Sequence, residues 1–260
     1  MALRFTSLGS GSEGNSLLVE ARDGATTTRV LLDCGFSLKE TERRLARLGV
    51  ELTQLDAILI THEHTDHIGC GLSLARRVGV PIHMSWGTAQ AVSADRAPDL
   101  HLACCANGQP LQVGDLLIEP YTVPHDAREP LQFTFSDGAT RLGVLTDIGA
   151  ATPHVTSMLD GCDALVLECN HDSEMLAQSR YPYSLKARIA GSYGHLSNAA
   201  AAGILEVLDR SRLRYVVAAH LSQQNNTAAL AGAALAGVLG AQACEIVIAT
   251  QEDGFAWLAV

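Results

Sequence analysis

The sequence predicts an α/β fold, because three apolar, strand-like runs each end in polar residues shortly before a helix-like segment. These runs are residues 57–60, 164–167 and 215–218. The second is a continuous apolar run typical of a strand buried on both faces. The repeated order of strand, polar end and helix predicts a sheet architecture with both faces covered. No linker rich in proline or serine divides the chain, so we predict one domain over residues 1–260.

The composition and net charge of the chain indicate the cellular compartment and the kinds of partner to expect. The chain has 260 residues, of which 47% are hydrophobic, and this is ample for a large core. No apolar stretch is long enough to span a bilayer, and the start lacks a signal peptide, so we expect a cytoplasmic protein with no membrane partner. Seven cysteines without C-x-x-C spacing indicate buried thiols in a reducing compartment. The net charge of −10 argues against broad adhesion to nucleic acid, but not against an anionic substrate at a locally positive site.

The first segment contains a glycine pattern that imitates a dinucleotide site. A strand is predicted at 3–8, and residues 9–14 then match G-x-G-x-x-G, with Asp33 at the distance where the fingerprint has an acid. The fingerprint requires a helix to begin at its glycines, whereas residues 16–20 have the character of a second strand. We therefore predict no dinucleotide cofactor. The small residues instead let the backbone pass close to the active site, where Asn15 is expected to contact substrate.

The remaining elements follow in order. After a turn at residues 23–24, a strand is predicted to lead to Asp33, which is either an outer acceptor for a metal-bound histidine or a simple turn acid. Apolar residues at helical intervals predict an amphipathic helix at 38–48. Further helices are predicted at 68–78, 86–92, 173–179, 184–189, 199–209 and 225–239, with strands within 111–123 and at 81–84, 131–135, 141–145, 246–248 and 255–258, the last two closing the sheet.

Residues 61–69 read T-H-E-H-T-D-H-I-G and carry the densest chemistry in the chain. Alternate side chains of an extended segment share a face, so His62 and His64 can point at one ion. The turn into the following helix brings Asp66 and His67 towards a second ion. Imidazole nitrogens and carboxylate oxygens are favoured by zinc and its first-row neighbours, and a site without thiolate is more often catalytic than structural. The motif predicts a two-metal site at a strand end.

Later strand ends supply the other candidates. His125 ends an apolar strand, as His62 does, and Asp147 follows the strand at 141–145. A carboxylate at such a position can bridge two cations or cap a helix; because Thr152 offers a better helix start, the ligand interpretation is favoured. His195 and His220 each begin a His-Leu-Ser sequence before a helix. His220 ends an apolar strand and is the better last ligand, whereas His195 is expected to be an acid near the leaving group.

The H-x-H-x-D-H motif resembles the signature of the metallo-β-lactamase-fold hydrolases. The resemblance implies a four-layer αββα sandwich with a dinuclear site at one edge. It assigns His62, His64 and His125 to one metal, Asp66, His67 and His220 to the other, and Asp147 to a position between them. Neither the arginine that replaces His67 in the lactamase branch nor the glutamate that replaces the second histidine in the flavodiiron branch is present.

Further motifs resemble the nucleic-acid-processing branch that includes ribonuclease J. Glu168, His195 and His220 correspond to its additional acid and two histidines, but only 27 positions separate Glu168 from His195, so the large inserted clamp domain of those enzymes must be absent. The sequences S-G-S-x-G-N-S, L-D-C-G, E-C-N-H-D, G-H-L-S-N and H-L-S-Q-Q-N-N resemble the YycJ/WalJ type of small bacterial proteins. This resemblance implies a DNA exonuclease that acts from the 5′ end with two divalent metal ions, zinc or manganese.

We expect a metal-activated water to attack the phosphodiester, with His195, Glu168 and Asp66 as the catalytic residues. His195 would donate a proton to the leaving oxygen while Glu168 orients it, and Ser197 and Asn198 would bind phosphate. The alternative is a thioester or other small-ester hydrolase of the glyoxalase II type, which uses the same metals. A third hypothesis is a single-iron persulfide dioxygenase.

Overall fold

The computed structural model describes residues 2–260, which contain two seven-stranded mixed sheets. In spatial order, the first sheet consists of β14 (Phe255–Ala259), β1 (Ala2–Gly9), β2 (Ser16–Asp23), β3 (Thr26–Leu32), β4 (Ala57–Leu59), β5 (Ile82–Met84) and β6 (Leu102–Cys104). The second consists of β13 (Glu245–Ile248), β12 (Tyr215–Ala219), β11 (Ala164–Glu168), β10 (Arg141–Leu145), β9 (Leu131–Ser136), β8 (Leu116–Thr122) and β7 (Leu111–Val113).

Helices connect the strands and cover the outer faces. They are α1 (Leu38–Arg47), α2 (Thr65–Ile68), α3 (Gly71–Val78), α4 (Trp86–Ala91), α5 (Pro153–Leu159), α6 (Ser173–Gln178), α7 (Tyr183–Ile189), α8 (Asn198–Val207) and α9 (Ala228–Leu239). Several begin at the polar caps that helix termini favour; the Thr152 hydroxyl, for example, accepts from the backbone N–H of Val155 at the start of α5. No helix within residues 2–260 combines the length and apolarity needed to cross a bilayer.

Three apolar layers hold the fold together. The central layer lies between the sheets and contains Val19 of β2 and Val166 of β11. Because side chains alternate along a strand, Leu18 points to the opposite face and packs in the layer beneath α1, α3 and α4. Leu165 likewise packs in the layer shared with α5, α8 and α9. The predicted four-layer αββα sandwich is confirmed.

Parallel strands in both sheets place their carboxyl ends at one edge. In the first sheet β3, β4, β5 and β6 are parallel, and in the second β10, β11, β12 and β13 are parallel. The loops after these ends carry the polar residues singled out in the sequence. Between Glu168 and His195 the chain forms only α6, α7 and short connections, so the predicted absence of a large insertion is confirmed.

Four predicted elements differ from those observed. The helix expected at 68–78 begins only at Gly71, as α3, because Gly69, directly after α2, turns the chain at a φ of 28°, in a place where a Cβ would collide with the Cys34 carbonyl. The helix expected at 225–239 begins only at 228, after the Thr227 cap. The two final strands were expected to close one sheet, but β13 pairs with β12 and β14 pairs with β1 in the other sheet. Hydrophobic pattern alone does not distinguish the edges of two sheets.

Candidate metal centre

The strand ends of both sheets converge on one cluster of histidines and acids. Three of its residues, Asp33, Asp147 and His220, have positive φ values of 60°, 50° and 55°. Left-handed backbone is uncommon for residues other than glycine and is found where side chains must be aimed at a site. Each of these residues follows a strand end, so the turn sends its side chain into the cleft.

His62, His64 and His125 form the first group, whose ligand atoms lie within 4.8 Å of one another. Nδ1 of His64 is 3.3 Å from Nε2 of His125. Nε2 of His62 is buried without a hydrogen-bond partner among residues 2–260. The structure therefore brings together the three residues predicted to hold the first metal.

Asp66, His67 and His220 form the second group, under the same 4.8 Å limit. Oδ2 of Asp66 is 3.5 Å from Nε2 of His67 and 3.6 Å from Nε2 of His220. Asp147 lies beside this group, with Oδ2 2.9 Å from Nε2 of His67, and it also forms a potential metal-binding set with His62 and His67. Its carboxylate is thus adjacent to members of both groups, as the sequence predicted.

Outer hydrogen bonds fix the orientation of four rings. Nδ1 of His67 donates to Asp33 at 2.8 Å, and Nδ1 of His62 donates to the Thr61 hydroxyl, which itself donates to Asp33. Nδ1 of His125 donates to the Gly194 carbonyl at 3.1 Å. Nδ1 of His220 donates to Glu168 at 3.2 Å. With the proton held on Nδ1, Nε2 of every ring is an acceptor that faces the cluster, the arrangement usual for metal-bound histidine.

These converging acceptors fit divalent cations. Nε2 of His62, Nε2 of His220 and Oδ2 of Asp147 are buried with no partner among the described residues, which is costly for polar atoms. Nε2 of His67 and Oδ2 of Asp147 are acceptors only 2.9 Å apart, so a proton or cation must offset their repulsion. Divalent cations, which nitrogen and oxygen donors of this kind hold, would give all of these atoms a partner.

Glu168, which is buried, and His195, which is partly exposed, form a dyad beside the cluster. Oε1 of Glu168 accepts from Nδ1 of His195 at 2.7 Å, and Oε2 accepts from the backbone N–H groups of Ile148 and Leu196. Burial opposes ionisation of Glu168, but the imidazoles of His195 and His220 outweigh it and lower the pKa of Glu168 to about 2. Burial likewise disfavours a charged His195, yet the carboxylates of Glu168 and Asp147 raise the pKa of His195 above its usual range.

The residues predicted to bind substrate are engaged within the protein. The Asn15 amide donates to the Gly11 carbonyl at 3.0 Å and lies 3.1 Å from Nε2 of His67. The Asn198 amide is paired with that of Asn226 through two 2.9 Å hydrogen bonds, and the Ser197 hydroxyl caps α8. Their contact with substrate stays a prediction; what they contribute here is the shape of the loops.

Two features were not predicted from the sequence. The sequence left the role of Asp33 open between an outer acceptor and a turn acid; the structure shows that it is the acceptor for Thr61 and His67. The second contact of Glu168, with His220, was not expected at all. Thr61 directly before H-x-H was the available signal for the first feature. The second depends on the register of β11 and β12, which pairs Glu168 with Ala219, the residue before His220.

The cluster opens into a cleft of about 460 Å³. His64, Asp66, His195 and His220 line its floor together with Leu185, Arg188 and Ile189 of α7. A second groove, of about 510 Å³, lies between α1 and α3, and none of the potential metal-binding sets borders it. The converging ligands, rather than cavity size, identify the candidate site.

Comparisons with known proteins agree with this geometry. Residues 28–221 match the family model described as a Beta-lactamase superfamily domain. The chain is 35% identical over 242 residues to exodeoxyribonuclease YycJ of Bacillus anthracis, covering 92% of this chain and 90% of that protein. It is 33% identical over 238 residues to exodeoxyribonuclease WalJ of Streptococcus pneumoniae, covering 89% and 86%. The crystal structure of the metallo-beta-lactamase fold protein YhfI from Bacillus subtilis superposes with a TM-score of 0.75 at 18% identity, covering all of both chains.

Proposed function

The chain belongs to the β-lactamase superfamily and to its YycJ/WalJ branch of metal-dependent hydrolases, and from this membership we propose that it is a DNA exonuclease that acts from the 5′ end. The observation that carries the proposal is the Glu168–His195 dyad, which lies directly beside the metal-ligand cluster. A phosphodiester needs both an activated nucleophile and a proton for its leaving oxygen. The metal-ligand cluster would supply the activated nucleophile, and the dyad would supply the proton.

We assign the first cation to His62, His64 and His125 and the second to Asp66, His67 and His220, with Asp147 between them. Zinc and manganese both suit this donor set. Divalent cations bound in such a site polarise phosphoryl oxygens and lower the pKa of water towards neutrality. Two of them would bring roughly four positive charges, against one negative charge each from Asp66 and Asp147. The remaining positive charge suits an anionic phosphodiester.

His195 provides the proton. Its Nδ1 is bound to Glu168, so Nε2 is the nitrogen available to a leaving oxygen in the cleft, which His195 lines. Glu168 favours the charged imidazolium and so keeps the proton on the ring until the leaving oxygen takes it. General acid catalysis of this kind contributes about 10² to 10⁴ in rate.

The proposal is tested on metal-loaded protein with four end-labelled oligonucleotides: single- and double-stranded DNA and RNA, each labelled at either end. We expect mononucleotide release from the 5′ end of DNA. The same preparation is offered a panel of thioesters. Rapid thioester hydrolysis without cleavage of any oligonucleotide would contradict the proposal and support the small-ester alternative.

A further inference from the structure

The segment between Glu168 and His195 contains a stretch with basic residues and tyrosines but no acidic residue. Between 175 and 205 there is no aspartate or glutamate, whereas Arg180, Lys186 and Arg188 are basic, in a chain with a net charge of −10. Three of the five tyrosines of the protein, at positions 181, 183 and 193, lie in the same stretch. Residues 179–193, which we call the arm, therefore form a basic and aromatic segment on an acidic protein.

Two of the three tyrosines of the arm are exposed to solvent, and Tyr181 is partly buried. Tyr183 is 87% exposed and Tyr193 is 64% exposed. Large rings usually bury most of their surface, so two such rings on one short segment indicate a surface that contacts a ligand. Neither ring packs against another aromatic residue within residues 2–260.

The arm is anchored to the catalytic loop. Its α7 contributes Leu185, Arg188 and Ile189 to the cleft wall. The backbone N–H of His195 donates to the Ile189 carbonyl at 2.8 Å. Gly194 allows this approach, since a Cβ there would collide with the Arg188 and Ile189 carbonyls. A ligand that enters the cleft therefore meets the arm at once.

The distances suit a polymer that extends beyond the cleft. Tyr183 precedes Arg188 by five residues of α7, about 8 Å along the helix axis. Tyr193 precedes His195 by two residues. Both tyrosines are therefore close along the chain to residues that line the cleft, and a strand that extends out of the cleft past Arg188 or His195 runs along this segment.

The distribution of charge around the cleft also favours binding of a polyanion along the arm. Arg188 is paired with Asp126 at 2.6 Å, so its charge is partly compensated. Lys186 donates to the Ala177 carbonyl, and Arg180 is exposed with no ion pair among residues 2–260. The other loop that lines the cleft carries Glu63, an acid outside the assigned ligand set, which repels phosphates. A polyanion leaving the cleft is therefore drawn along the arm.

We propose that the arm binds the unpaired nucleotides next to the cleaved bond, with Tyr183 and Tyr193 stacking on bases and Arg180 and Lys186 contacting phosphates. The inference rests on the proposed function and adds that the preferred ligand is single-stranded. Every base presents a stacking face, so this contact is indifferent to sequence, but bases in a duplex cannot reach it. Basic residues beside stacking rings are the combination by which proteins hold single strands.

The test measures binding of a fluorescein-labelled, cleavage-resistant phosphorothioate single strand to metal-loaded protein by fluorescence anisotropy. Replacing both rings (Tyr183→Ala with Tyr193→Ala) should raise Kd by about 5- to 150-fold for each ring that stacks on a base, whereas the ring-retaining pair Tyr183→Phe with Tyr193→Phe should change it little. Arg180→Ala with Lys186→Ala should flatten the dependence of log Kd on log salt. Arg214→Ala removes one positive charge from an exposed position before β12, at the far end of that strand from His220, and is the control for loss of charge away from the cleft.

Two further measurements distinguish a failure of the arm proposal from a failure of the proposed function. A Tyr183→Trp variant should lose tryptophan fluorescence when the single strand binds, and this readout needs no catalysis. Hydrolysis of bis(p-nitrophenyl) phosphate, which is too short to follow the arm, should be the same in the wild type and the ring variants. Wild type that cleaves neither this diester nor DNA would contradict the proposed function, while the Kd comparison would still decide the arm.

An unchanged Kd in the folded double-alanine variant, or no fluorescence change in Tyr183→Trp, would overturn the inference. Equal affinity of the wild type for single and blunt double strands would do the same. If the ring variants instead change the mass measured by sedimentation, the arm contacts a second copy of this chain and the proposal fails.

Discussion

Oε1 of Glu168 accepts a 2.7 Å hydrogen bond from Nδ1 of His195, and the same oxygen lies 3.2 Å from Nδ1 of His220. One carboxylate thus orients both the proposed proton donor and a proposed metal ligand. The arrangement follows from β11, whose last residue is Glu168, pairing in parallel with β12, whose end leads to His220. Loss of this carboxylate should affect two functions at once.

Glu168→Gln should therefore lower both the rate and the metal affinity. The amide cannot stabilise a charged His195, and it accepts the His220 proton less strongly. Metal affinity should fall about 10- to 100-fold, the usual effect of removing an outer partner of a ligand. Metal titration followed by cleavage at saturating metal separates the two losses. A variant that recovers the full rate once metal is saturating would show that Glu168 does not support His195.

His195→Ala should lower the cleavage rate without lowering the metal content. The protein should keep its metals by elemental analysis, because His195 is not among the assigned ligands, and should cleave DNA about 10² to 10⁴ times more slowly. His101→Ala is the matched control: this exposed histidine lies outside the cluster, so neither quantity should change. Normal cleavage by His195→Ala would remove the proposed acid.

The sequence predicted that these histidines and acids would lie close together, because an apolar strand leads into each of the segments that carry them. It predicted less about what holds the members in place. Whether Asp33 supports His67 depends on a left-handed turn, and the hydrogen bonds of Asn198 with Asn226 depend on how two loops meet. Such contacts are set by tertiary packing, which hydrophobic periodicity does not encode.

The charge of Asp33 should affect metal affinity, and its backbone conformation should affect stability. Asp33→Asn tolerates the φ of 60° but weakens the acceptor for Thr61 and His67, so metal affinity should fall about 10- to 100-fold in a folded protein. Asp33→Ala should in addition lose stability, because alanine adopts this conformation at a cost of about 1–2 kcal/mol. Isothermal titration with zinc and thermal unfolding of the metal-free forms measure the two effects. Equal melting temperatures for the two variants would contradict the backbone argument.

Removal of metal should destabilise the fold around the cluster. Without cations, Nε2 of His62 stays buried with no partner among the described residues, and cations that bind only the folded state add about 3–4 kcal/mol at 100 to 1,000 times their Kd. Chelator should therefore lower the melting temperature of the wild type. His64→Ala should contain less metal and respond less to chelator. Full metal content in that variant would break the assignment of His64 as a ligand.

Glu20 should stabilise the first sheet in a pH-dependent manner, away from the metal centre. Its buried carboxylate accepts hydrogen bonds from Arg4, Arg22 and Arg29 at 2.6–2.8 Å. Burial favours the protonated acid, but these guanidinium groups outweigh it and hold the pKa of Glu20 below its usual value. Because the folded pKa is below the unfolded pKa of about 4.3, the stabilisation is complete above that pH and is lost as the pH falls through the folded value.

Glu20→Gln should therefore lower the free energy of unfolding by about 1–3 kcal/mol at pH 7, and the difference from wild type should shrink below about pH 4. Urea unfolding of both proteins across this range measures it, and a difference that stays constant down to about pH 3 would show that the charge of Glu20 contributes nothing.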